Sequence, residues 1–226
     1  MDDISAALVG AVPVFKDPAL IFIHIPKTGG RFLRSLMRAN LPTSDVEVLP
    51  NDLGPHSPLA KIVSADPVKA FFGGSFDGVR AFAVVRNPWA RTWSAYNFLL
   101  AGARKRIEDR TLGLLVKAGT SAERDAEAVE RLTRLGFAGW LGEFVQKWPP
   151  QVSYIDPLDS GVSVRALRFE EIHSELDDLE RRVIGKDIEK FDTTASSDYR
   201  DHYDSASIAA VRRAFPADVE RFGYEF

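Results

Sequence analysis

The residues with the most concentrated chemistry in this chain are His24-Ile25-Pro26-Lys27-Thr28-Gly29-Gly30. A turn of this composition is built to hold an anion. Two adjacent glycines at the start of a helix leave backbone N–H groups open to a charged ligand, and the helix dipole favours negative charge there. Lys27 adds a point charge and Thr28 a hydroxyl donor. With no Cβ on Gly29 or Gly30, the backbone is expected to approach the ligand closely. The order differs from the general P-loop, in which Lys follows the second Gly and precedes Ser or Thr. Taken alone, the segment also fits a plain tight connection between two elements.

A second candidate lies at Arg86-Asn87-Pro88, with Ser94 two helical turns further on. The planar fork of an Arg suits a phosphate. Arg86 closes an apolar run, and ligands of open α/β sheets collect beyond strand ends. By itself, Ser94 fits equally a hydroxyl bonded back to its own helix. Trp89, Trp93 and Phe98 read as core residues.

The elements that must position these groups are legible around them. Ala19 to Ile25 is an almost continuous apolar run, the pattern of a strand buried on both faces, and Pro26 stops it. Phe32, Leu33, Leu36 and Met37 then recur at helical spacing, with Arg31, Arg34 and Arg38 between them. Val79 to Val85 is the second strand; Asn87 can cap the helix that Pro88 opens, which is expected to end near Leu100. Val162 to Leu167 is a third strand, followed by one amphipathic helix over 170–184 with Ile172, Leu176, Leu179 and Val183 inward. The charged stretch 101–135 reads as mobile helices over the sheet. Gly136 to Lys147 reads as a helix closed by Pro149 and Pro150, and Ser205 to Phe215 as another, with Pro216 opening a last turn.

Composition limits the possibilities. The 226 residues are 45% hydrophobic and carry a net charge of −3, enough for one sizeable core and no broad attraction to nucleic acid or acidic membranes. There is no Cys, which excludes a disulfide framework, a thiolate metal site and a Cys nucleophile; no metal site is legible. The apolar run Ala6 to Phe15 has Asp2 and Asp3 where a signal peptide carries positive charge, and Pro13 interrupts it. It is expected to pack on the domain surface. No linker is rich enough in Gly, Pro or Ser to divide the chain, so residues 1–226 read as a single cytoplasmic domain.

His24 to Gly30 after an apolar strand resembles the phosphosulfate-binding loop of the carbohydrate sulfotransferases and related bacterial proteins. Arg86 to Phe98 resembles the same family's 3′-phosphate segment, with Arg86 and Ser94 in the binding positions. Leu167 to Ile172, Tyr199-Arg200 with Tyr203, and Phe222 to Phe226 extend the likeness over most of the chain. The resemblance implies an α/β, P-loop-NTPase-like three-layer sandwich with a central, mostly parallel sheet flanked by helices. It implies 3′-phosphoadenosine 5′-phosphosulfate as co-substrate, held by Lys27, Thr28, Gly29, Gly30, Arg86, Ser94 and, on the closing segment, Arg200. The last of these fits as well a surface Arg paired with Asp198 or Asp201. Arg31 stands where the family usually has Thr or Ser, exchanging a hydroxyl for a longer cation that either contacts the donor or points away.

The acceptor implied is a hydroxyl, most simply on a sugar, whose proton needs a base. Of four histidines, His24 belongs to the loop and shapes the strand end, while His173 and His202 read as solvated. His56 remains, in Gly54-Pro55-His56-Ser57-Pro58, the interval where related enzymes place a catalytic His; a carboxylate from 101–135 is the alternative. Two other functions share the strand–loop–helix: a nucleotide or small-molecule kinase, which calls for the Gly-Lys-Ser/Thr order and a magnesium-holding acid, and a non-catalytic module binding the same nucleotide.

Overall fold

The computed structural model describes residues 12–40, 46–48, 53–54, 56–112, 121–156, 161–193 and 199–226. The chain divides into two compact units, Met1–Asn87 with Pro150–Thr194, and Pro88–Pro149 with Ala195–Phe226.

The first unit is built on an open five-stranded sheet, β1 (Pro13–Phe15), β2 (Leu20–Ile23), β3 (Val46–Val48), β4 (Arg80–Val85) and β5 (Ser163–Arg168), in the order β3-β1-β2-β4-β5. β2, β4 and β5 run parallel; β1 is antiparallel to both of its neighbours. The fold is therefore α/β. Every residue of β2 is buried, as its unbroken apolar run requires. Leu20 and Phe22 point into one core with Phe82, Val84, Leu167, Leu33 and Val183. Ile21, Ile23, Ala81 and Ala83 alternate to the opposite face and are equally buried.

Its helices are α1 (Gly30–Asn40), α2 (Leu59–Val63), α3 (Asp66–Phe71), α6 (Val152–Ile155), α7 (Ile172–Glu175) and α8 (Asp178–Ile184). The second unit holds α4 (Pro88–Thr111), α5 (Ala122–Phe144), α9 (Ser205–Ala214) and α10 (Pro216–Phe222).

Five expectations change. The described end of the apolar N-terminal run does not lie on the surface: Val14 and Phe15 are buried in β1, because a strand with neighbours on both sides places its side chains in the core. Residues 1–11 lie outside the described residues. The helix from Pro88 continues past Leu100 to Thr111, since its charges find partners: Lys105 with Asp109 one turn on, and Arg106 and Arg110 with the buried Asp125 of α5. The helix expected over 170–184 is broken. A 3-10 turn, Phe169–Glu171, leads into α7, and Asp177 restarts the chain as α8 through a reciprocal capping box with Glu180. Phe98, read as core, is exposed. Gly136 begins a new helical stretch as expected, but as a kink inside α5 at φ 61° rather than a separate element.

Candidate functional site

Parallel pairing brings three segments to one end of the sheet. Ile23 pairs with Ala83, and Val85 with Arg168. The loop after β2, Arg86 after β4 and Phe169-Glu170 after β5 therefore emerge together, at the carboxyl ends where open α/β sheets bind ligands.

The loop has an unusual backbone. Lys27 adopts φ 71°, in the left-handed region that side chains rarely occupy, and Gly29 adopts φ 83°. Alternation of this kind turns successive N–H groups toward one concavity, a nest for an anion. Gly30 opens α1, which has no acidic residue in its first turn. The left-handed Lys27 is held from outside: the guanidinium of Arg86 donates to the Lys27 carbonyl at 3.1 Å and lies over the Phe169 ring at 4.4 Å.

Arg86 is in turn fixed by Gln151, which is fully buried. The Gln151 amide accepts from the Arg86 N–H and donates to its carbonyl, both at 2.8 Å. Glu170 accepts from the Asn87 N–H at 2.9 Å. Neither partner is evident from the sequence as a site residue. The Gln151 signal is weak, a polar residue after two prolines at the head of a short apolar helix.

The glycines serve a purpose different from the expected one. A Cβ on Gly30 would run into the His24 imidazole, and one on Gly29 into Phe191 and Phe169. Both open directions face protein, so the missing side chains admit buried rings. Thr28 is corrected too. It is buried and its hydroxyl donates to the Ile25 carbonyl at 2.9 Å, tying the loop closed rather than presenting a proton to a ligand.

The histidines come together here. His24 is buried, its ring centroid 4.4 Å from that of His56. His56 Nδ1 lies 3.1 Å from the His24 carbonyl oxygen. A carbonyl can only accept, so Nδ1 carries the hydrogen and the neutral ring keeps its lone pair on Nε2. Burial, with a smaller push from Arg34 and against the bond to His24, holds His56 below the ordinary imidazole value. His24 is pushed further, to about 3, by burial and then by His56, Arg34, Arg31 and Lys27. Its Nδ1 is buried with no hydrogen-bond partner among the described residues.

The electrostatics are one-sided. Burial first, then Arg86 and Arg31, bring the Lys27 amine down to about 8. Burial and Arg38 bring the nine-tenths-buried Arg34 to about 10. The charged neighbours that move these groups are cations, so the loop is poised to bind negative charge. Arg31 is exposed at the top of α1, close enough to act on Lys27 and His24. Sequence spacing placed Arg34 on α1 but gave no sign that it sits against the histidines.

Not every expected site residue is gathered by this geometry. Ser94, partly buried on α4, and Arg200 belong to the second unit. Arg200 is exposed, its guanidinium 4.7 Å over the Tyr199 ring and 5.8 Å over Phe226. Trp89 is fully buried there, with its indole N–H donating to the Ile208 carbonyl. Of the other histidines, His173 bonds the Phe191 carbonyl at 2.9 Å, and His202 stacks on Trp93 at 3.8 Å. Among the described residues no His or acidic cluster could hold a metal ion, and no helix is long and apolar enough to cross a membrane. No family model, curated protein or solved structure matches the chain.

Proposed function

We propose that this chain is a sulfotransferase that moves a sulfuryl group from 3′-phosphoadenosine 5′-phosphosulfate to an acceptor hydroxyl, on a P-loop-NTPase-like three-layer sandwich. The observation that carries the proposal is the cationic loop at the strand ends, with left-handed Lys27 braced by Arg86 and a neutral His56 beside it. In this reading the loop amides and Lys27 bind the phosphosulfate and Arg86 the 3′-phosphate; Ser94 and Arg200 are the further 3′-phosphate contacts that the family resemblance implies. Arg31 replaces the usual hydroxyl with a charge-assisted contact.

His56 Nε2 accepts the proton of the acceptor hydroxyl as that oxygen attacks sulfur. An O–S bond forms, the S–O bond to the 5′-phosphate breaks, and its electron pair leaves on the phosphate oxygen of adenosine 3′,5′-bisphosphate. Lys27 and the loop N–H groups stabilise the charge that develops on that oxygen, which is the place where preorganised donors accelerate a reaction most. The lowered His56 pKa keeps the base unprotonated at neutral pH. The acceptor that best fits the family likeness is a sugar hydroxyl, and the protein is expected in the cytoplasm.

The test is thermal unfolding with adenosine 3′,5′-bisphosphate, ATP or NAD. A ligand at a hundred times its Kd stabilises by about 2.7 kcal/mol, a readily measured shift in Tm. Selective stabilisation by the bisphosphate, lost in Lys27→Ala and Arg86→Ala, supports the reading. Preference for ATP overturns it in favour of a kinase. Binding of the bisphosphate without sulfate transfer to any hydroxyl acceptor would mark a binding module.

A further inference from the structure

The second unit contains a cleft unrelated to the loop chemistry. α4 and α5 pack along each other, and between them opens a space of about 390 Å³. This is within the range of small-molecule sites, roughly 300–1,000 Å³. Its apolar lining comes from Leu99, Leu132, Trp140 and Phe144, and its charged lining from Arg106, Arg124 and Arg131 against one carboxylate, Glu127.

The three arginines differ in commitment. Arg106 is fixed at 2.8 Å on Asp125, which is buried. Arg131 reaches Glu143 across an exposed ion pair, a weak contact readily exchanged for another carboxylate. Arg124 is exposed and makes no ion pair among the described residues. Trp140 is almost completely buried behind this wall, and its indole N–H finds no hydrogen-bond partner among the described residues.

We infer that this cleft binds a small organic anion, an apolar chain or ring ending in a carboxylate. The chain lies against Leu99, Leu132, Trp140 and Phe144, and the carboxylate is held by Arg124 and Arg131. Glu127 opposes it and limits affinity for doubly charged ligands.

The test uses decanoate below its micelle concentration, with decanol and decyltrimethylammonium as neutral and cationic counterparts, followed by calorimetry and tryptophan fluorescence on the full chain. Saturable one-to-one binding of decanoate is expected, about tenfold or more tighter than either counterpart, the scale of one charge-assisted contact. Arg124→Ala combined with Arg131→Ala removes that preference, and Glu127→Gln tightens binding. Ala128→Trp, which fills the cleft from its rim, abolishes binding while circular dichroism and Tm stay near those of the parent. Equal affinity for all three probes, absence of saturation, or undiminished binding in folded Ala128→Trp would overturn the inference.

Discussion

Two clusters of arginine sit at opposite ends of β4, about 20 Å apart at the rise of a strand. At its start, Arg80 meets Asp177 at 2.5 Å, and Arg165 of β5 meets Asp177 at 2.9 Å and Glu180 at 2.6 Å. Glu180 is completely buried and also accepts from the Asp177 N–H, so the cluster ties two strands to the cap of α8. Burial works against the Asp177 carboxylate, yet the bond from Glu180 and the nearby Arg80 and Arg165 hold it down at about 2. At the other end of β4, Arg86 and Arg31 act on Lys27 as like charges, Lys27, Arg31 and Arg34 act on His24, and Arg34 acts on His56. The same residue types serve opposite ends. Where cations meet carboxylates they hold the fold, and where they crowd each other they raise the free energy of the empty site and lower that of an anion bound there.

The contrast is open to attack at both ends of the strand. The largest effect is expected from Glu180→Ala, which strips a buried acid from two arginines and half the capping box from α8. Urea unfolding should show a loss of about 3–5 kcal/mol, the scale for breaking a buried ion pair. A loss below 1 kcal/mol would remove the structural reading of that cluster. Lys27→Ala comes next and acts on the reaction instead of the fold. Sulfate transfer should fall in kcat by about 2.7–4 kcal/mol, with unfolding free energy near the parent value. A change in KM alone would assign Lys27 to binding only.

The pH profile sharpens the same end. The proposed transfer needs Lys27 charged and His56 neutral, so its kcat/KM should decline as pH rises through about 8. Its acid limb should lie below the ordinary histidine value, because the His56 pKa is lowered and the base stays available as pH falls. An acid limb above 6.5 would exclude His56 as that base.

Gly30→Ala probes the packing beneath the cations. The new methyl meets the His24 ring, an overpacking worth about 1–3 kcal/mol, and His24→Ala in the same chain should recover part of it. Additive losses would show that the two residues do not share that space. The smallest effect belongs to Arg182→Ala. Its pair with Asp17 is exposed on both sides, so unfolding should change by no more than about 1 kcal/mol.

Much of the α/β frame was legible in the residues. Continuous apolar runs marked β2 and β4, and Pro88 marked the start of α4, because burial on both faces and a helix's first turn leave local signatures. The edges of the reading failed where partners decide. The charged stretch 101–135 read as mobile helices separate from the one that Pro88 opens; its first part, to Thr111, continues that helix, where Asp125 accepts from Arg106 and Arg110. Capping chemistry at Asp177 divided a stretch whose hydrophobic spacing alone described one helix.

The sequence by itself determined that a Lys-Thr-Gly-Gly turn follows a buried strand and that an Arg closes a second one. Those features depend on residue type and short spacing, and both can be read within ten residues. Tertiary structure alone decided what the turn's groups do. Parallel pairing set Arg86 against the Lys27 carbonyl 59 residues away, and Gln151 reached back 65 residues to clamp it. The approach of His56 to His24 spans 32 residues, and the glycines turned out to make room for rings instead of for a ligand. Contacts of that range leave no periodic trace in a chain, since they follow from how strands register and cores fill.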